Sequence, residues 1–136
     1  MKKIIFIICL FSIVFFSCKK FIEQQEQNAL VDMVTNGVWI VARYIETGND
    51  ITSDFAGYTF HFDKNGTVTG TKSGNTTNGT WAGDINTKTI ISDFPSAGDP
   101  LQKLNHTWKI TDSYTDSVAA NTIVDSGTNI LNLKKQ

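Results

Sequence analysis

Apolar and polar positions follow three rhythms along the 136-residue chain. After the cationic start Met1-Lys2-Lys3, an apolar run extends from Ile4 to Phe16 with Ser12 as its only polar interruption. Its 13 residues would make roughly 20 Å of helix, short of the ~30 Å hydrocarbon core of a bilayer, so they predict a cleaved secretory signal over residues 1–17 and not a permanent span. Residues 19–28, KKFIEQQEQN, are polar with Gln and Glu dominant, and read with Cys18 as a tether. Leu30, Met33 and Val34 then fall at helical spacing, closed by Asn36-Gly37. They predict one short helix over 29–34, starting as early as Phe21.

From Gly37 onward the rhythm becomes that of β-strands. Runs of five to nine residues rich in Thr, Val, Ile and aromatics alternate with turn clusters at TGND (47–50), DKNG (63–66), SGNTTNG (73–79), DINT (84–87), PSAGDP (95–100), DSYTDS (112–117) and DSGT (125–128). Seven breaks predict eight strands, most of them joined by hairpin loops and therefore paired with their sequence neighbours as an antiparallel meander. Tyr58, Phe60 and Phe62 share one face of their strand, and Leu104, His106, Trp108 and Ile110 share one face of theirs. Strands with one dry face over about 100 residues form one domain, 29–136. Closure into an up-and-down barrel removes the sheet edges, and an open β-sandwich is the alternative. Parity places Trp39, Val41, Tyr58, Phe60, Phe62, Val68, Trp81, Ile90, Trp108, Ile110, Leu131 and Leu133 in the core. A barrel of eight strands is only just wide enough for side chains or one small ligand, and three tryptophans take much of that room.

The end of the apolar run carries an address. Ser17 is small, as signal cleavage requires, and Phe15-Phe16-Ser17-Cys18 resembles the lipobox of bacterial lipoproteins, with Phe15 where Leu is usual. The resemblance implies a diacylglycerol on the Cys18 thiol, and Lys19 in place of Asp implies sorting to the outer membrane of a Gram-negative cell. The competing expectation is a secreted or periplasmic protein cut near Ser17. Cys9 leaves with the signal, so no disulfide forms within the mature chain. That mature chain keeps 10 of the 12 basic residues and all 13 acidic ones, a side-chain charge of −3. With Arg43 as its single arginine, it carries no nucleic-acid footprint.

Further motifs occur in order: Gly37-Val38-Trp39 opening the first strand, Thr59-Phe60-His61-Phe62 ending in Asp63-Lys64-Asn65-Gly66-Thr67, and Gly79-Thr80-Trp81. Over residues 30–135 the chain resembles the small lipocalin-like lipoproteins of Gram-negative bacteria. The resemblance implies an all-β, eight-stranded antiparallel barrel preceded by a helix, with a ligand-binding interior. Two features depart from it. Lipocalins cover the first-strand Trp with a late arginine, where the last strand here offers Lys134, and the family's T-D-Y loop has the stretched counterpart Thr111-Asp112-Ser113-Tyr114.

The candidate ligand-binding residues are Arg43, Tyr58, Phe60, Trp81, His106 and Trp108. Arg43 has the parity of Trp39, so its planar donor fork would meet a carboxylate inside the barrel, or pair with an acid at the mouth. His106 is expected near the end of the core, hydrogen bonded or against a ligand. His61 and Asp63 share a wet face, and no ligand spacing for a metal exists. Asp63-Lys64-Asn65-Gly66 lacks the bidentate Glu of a calcium loop and predicts a type I turn. Tyr44, Phe55 and Phe94 fall outside the core parity or beside loops, and are expected either as an exposed patch or as plugs at a barrel end. Asp116-Ser117-Val118 resembles the acceptor for O-linked glycans in some bacteria. No nucleophile motif, phosphate loop or cofactor site is present, and no two of the 11 carboxylates in the folded body stand out, so an enzyme is not expected.

Two functions remain. One is a monomeric, lipid-anchored barrel holding a small apolar or amphipathic molecule or a glycan. The other is a macromolecular interaction protein of the envelope, a lysozyme or protease inhibitor or an accessory subunit of a surface complex, supported by a dense interior and by long loops at 73–79 and 95–100. Cavity volume separates them, since a ligand pocket needs ~300 Å³ or more.

Overall fold

The computed structural model describes residues 20–136. The signal run, Cys18 and Lys19 lie outside the described residues. Helix α1 occupies residues 20–35, and the strands β1 (Trp39–Glu46), β2 (Asn49–Asp50), β3 (Thr59–Phe62), β4 (Thr67–Lys72), β5 (Asn75–Asp84), β6 (Thr89–Asp93), β7 (His106–Ser113), β8 (Ser117–Val124) and β9 (Gly127–Lys135) follow. Each strand pairs antiparallel with its neighbour in the sheet, and β1 pairs with β9 from Trp39↔Lys135 to Glu46↔Asn129, which closes the sheet. The result is the expected eight-stranded barrel, with β2 as a two-residue stub folded back on β1. The open sandwich is thereby excluded.

Turn chemistry explains most of the register. Gly66 has φ 89°, its N–H bonds the Asp63 carbonyl at 3.0 Å, and Asp63 N–H bonds Thr67 O at 2.8 Å, as the type I reading requires. Ser73 and Gly74 both take positive φ (53° and 80°), the signature of a two-residue primed hairpin turn. The expected loop over 73–79 is therefore mostly strand. Its outward Thr76, Asn78 and Thr80 pair with Thr71, Thr69 and Thr67, while its inward positions are Thr77 and the buried Gly79. With no large apolar side chain on the inner face, this half of β5 has no legible alternation.

Two bulges alter parity, one between Val41 and Arg43 in β1 and one between Ile110 and Asp112 in β7. A bulge inserts one residue on one strand and turns the following side chains to the other face. Tyr44 therefore points inward and is fully buried.

The helix takes the early start the sequence allowed, one residue before Phe21, so the polar residues 20–28 are helical. Gln and Glu are good helix formers, and the tertiary contact is specific: Gln27 Nε2 donates to Gly83 O at 2.8 Å and its Oε1 accepts from Ile85 N–H at 2.9 Å. Leu30 and Val34, one and two turns on, are buried in the core. The last turn meets β1, where Trp39 Nε1 donates to Val34 O at 2.8 Å.

All 12 core residues expected from parity are buried or packed against the core. The core also holds Tyr44, Phe55, Phe94, Leu101, Leu104, Val118 and Ala120. An exposed aromatic patch of Tyr44, Phe55 and Phe94 is thus overturned, since each is at most 2% exposed. They plug the barrel end.

Candidate functional site

The site to be tested is the barrel interior. One end of the barrel holds the start of β1, the 63–66 and 85–88 turns and the end of β9, and α1 packs there. Lys135 Nζ lies 5.1 Å from the Trp39 ring centroid, so a cation does cover the first tryptophan. The covering residue is Lys135, and Lys134 is exposed.

The opposite end carries the long connections 51–58 and 94–105, each with a short 3-10 turn, Thr52–Phe55 and Leu101–Leu104. These segments fold inward. Phe55 stacks on Tyr44 at 5.2 Å between centroids, Trp108 meets Tyr44 edge-on at 5.8 Å, and Phe94 meets Phe60 edge-on at 6.4 Å. Polar bonds then pin them: Tyr44 Oη donates to Lys103 O at 2.6 Å, Lys103 Nζ donates to both Glu46 carboxylate oxygens at 2.9 and 2.8 Å, and Phe94 N–H donates to Asn105 Oδ1 at 2.7 Å. Burial, then the Glu46 charge, pushes the Tyr44 phenol up to about 12, and the Glu46 hydrogen bond raises Lys103.

Between the two plugs a cavity of about 40 Å³ remains. Phe60, Phe62, Phe94, Leu104, Trp108 and Leu131 make most of its wall. The polar Ser92 is among its lining residues, and its hydroxyl is spent on the Leu104 carbonyl. A buried water needs about two to four polar partners, and this lining offers none that is free, so the space is a packing defect of an apolar core.

The six candidate residues do not converge. Phe60 and Trp108 line the cavity. Trp81 is buried toward the helix end, with Nε1 donating to Asp63 O at 2.8 Å and Phe62 against its ring at 5.5 Å. Tyr58 is half-buried, stacked on Phe60 and capped by Lys72 at 5.0 Å. His106 is half-buried and edge-on to Trp108 at 5.5 Å. Arg43 is exposed on the outer wall, so the expectation of an inward guanidinium fails, and the β1 bulge is the reason. Tyr44, Phe55 and Phe94, expected either as an exposed patch or as barrel-end plugs, take the second role and decide the interior instead.

Outside the barrel, an open groove of about 470 Å³ runs beside α1 over Leu30, Met33 and Ile85, with Glu26 and Lys88 at its rim. It lies open to solvent, whereas ligand pockets bury most of their occupant. Among the described residues no group of three or more His, Cys, Asp or Glu is placed to hold a metal ion.

The fold is similar to that of a DUF4847 family protein from Bacteroides vulgatus ATCC 8482, with a TM-score of 0.56 and 14% identity over 79% of this chain and 99% of that one. At that identity the likeness is one of fold. No protein-family model and no curated relative matches the sequence.

Proposed function

We propose that the chain is a non-catalytic, lipid-anchored interaction module of the outer membrane, working through the outer surface of a filled barrel toward a macromolecular partner in the cell envelope. The observation that carries this reading is the interior volume, about 40 Å³, against the ~300 Å³ a small-molecule pocket needs. The anchor rests on Ser17-Cys18 after an apolar run. The plugged end is the favoured contact surface. Its segments 51–58 and 94–105 are held by the Tyr44, Glu46, Lys103 and Asn105 bonds, so little ordering entropy opposes docking there. Its rim exposes Asp54, Asp99, Ser53 and Gln102.

Affinity capture of the full-length, membrane-extracted protein after brief cross-linking in intact cells tests the reading. A stoichiometric envelope partner, lost on replacing Asp54 and Asp99 with Lys, is the expected result. Recovery of the protein alone, with tryptophan emission that shifts on adding apolar probes, would overturn it.

A further inference from the structure

The first turn of α1 carries two apolar side chains that the fold leaves uncovered. Phe21 is 64% exposed and Ile22 is 55% exposed. Leu30, nine residues after Phe21, is in the core, and nine residues make about two and a half turns. Phe21 therefore faces away from the barrel, and no rotation that keeps Leu30 buried can cover it. Isolated surface hydrophobics are ordinary. These two differ in their place: they follow Cys18-Lys19-Lys20 directly and precede the polar run Glu23-Gln24-Gln25-Glu26.

We infer that Phe21 and Ile22 form a membrane-interface anchor, seated in the headgroup layer of the bilayer that receives the Cys18 acyl group. The inference rests on the acylation reading above. At most about 11 Å of extended chain separates the Cα atoms of Cys18 and Phe21, and about 4.5 Å if the chain is helical. The headgroup layer is itself roughly 5–7 Å deep on each side. An acyl group on Cys18 thus brings the Phe21 ring to the depth where aromatic and aliphatic side chains gain by leaving water. Lys19 and Lys20 suit anionic headgroups at the same level. Glu23 and Glu26 mark where the chain returns to water.

A mechanical consequence follows from the docking of α1. Gln27 is bonded at both ends of its amide to Gly83 and Ile85, and Leu30 and Val34 are core residues. The described residues between the lipid site and the barrel include no flexible spacer, since helix begins at residue 20. With Phe21 and Ile22 seated, α1 and the barrel docked on it would meet the membrane as one unit.

The test uses the full-length chain processed in a host that acylates lipoproteins and reconstituted in vesicles of phosphatidylethanolamine with phosphatidylglycerol. Acylation blocks the Cys18 thiol and Cys9 leaves with the signal, so one introduced cysteine takes a nitroxide label selectively. Phe21→Cys, Ile22→Cys and Gln25→Cys all alter exposed positions, so folding is spared. Labels at 21 and 22 are expected to collide several-fold more with oxygen, relative to a water-soluble nickel chelate, than the label at 25. Equal nickel exposure at all three, on chains whose mass carries the diacylglycerol, overturns the anchor while leaving acylation standing. A mass without the acyl group overturns both.

Discussion

Gly79→Ala tests the packing at the plugged end most sharply. A Cβ built on Gly79 lies 2.4 Å from the Asp93 carbonyl oxygen and 2.8 and 3.0 Å from Cδ1 and Cγ of Phe94. The first obstacle is backbone, in the strand pairing that joins Thr80 to Asp93, and the second is a ring only 1% exposed. Neither can swing aside, so β5 and β6 must separate or Phe94 must leave its site. Overpacking costs ~1–3 kcal/mol, and with a carbonyl in the way we expect about 3 kcal/mol. At ~3–5 °C per kcal/mol for a domain of this size, the melting temperature falls by roughly 10–15 °C. Thermal and urea unfolding followed by tryptophan emission would measure it. Two glycines calibrate the scale. Gly98 has nothing within 4 Å of its Cβ and needs no left-handed backbone, so Gly98→Ala should stay within about 0.5 kcal/mol of the parent. Gly74 also has open space but φ of +80°, so Gly74→Ala should cost about 1 kcal/mol. If Gly79→Ala is as stable as Gly98→Ala, the Phe94 plug is not where the account puts it.

Other consequences are open to direct measurement. Phe60→Ala should cost about 3–5 kcal/mol and enlarge the apolar cavity, so benzene or xenon should raise the variant's melting temperature and leave the parent's unchanged; equal response would contradict a filled interior. Tyr44 has its phenol raised from 10.0 to about 12 by burial and then by Glu46. Below pH 10 both folded and unfolded chains keep this proton, and between 10 and 12 the unfolded chain loses it first, so stability falls by up to roughly 3 kcal/mol across that window. Tyr44→Phe removes that part of the alkaline loss, at a cost near neutrality of about 1 kcal/mol for the bond to the Lys103 carbonyl; an unchanged slope in urea unfolding from pH 9 to 12 would refute it.

The barrel was legible where inner and outer residues differ strongly, and illegible elsewhere. Tyr58, Phe60 and Phe62, and likewise Trp108 and Ile110, alternate with polar neighbours, and each packs as parity requires. Arg43 and Tyr44 each left two readings open, and what decides between them is one inserted residue in β1 that exchanges inside for outside; a bulge leaves no mark in composition. Phe94 sits beside Pro95 in a turn-forming cluster, which left patch and plug both open, and the 94–105 segment folds this ring and its two leucines back over the barrel mouth. The N-terminal half of β5 was hidden for the opposite reason, because a Gly and a Thr face inward there. For the helix, the Leu30 and Val34 stripe was visible while the Gln27 clamp on Gly83 and Ile85 was not, since it depends on residues more than fifty positions away. The ligand-site candidates shared that weakness. Parity can say which rings point inward, but only the plugs at the ends decide whether they enclose a space.

Native mass spectrometry of the full chain, extracted gently from its expression host, tests the central claim most directly. A filled barrel predicts the mass of the polypeptide with its covalent modifications and no further mass. A stoichiometric small-molecule adduct that disappears on denaturation would contradict it and would mean that the interior opens to a ligand.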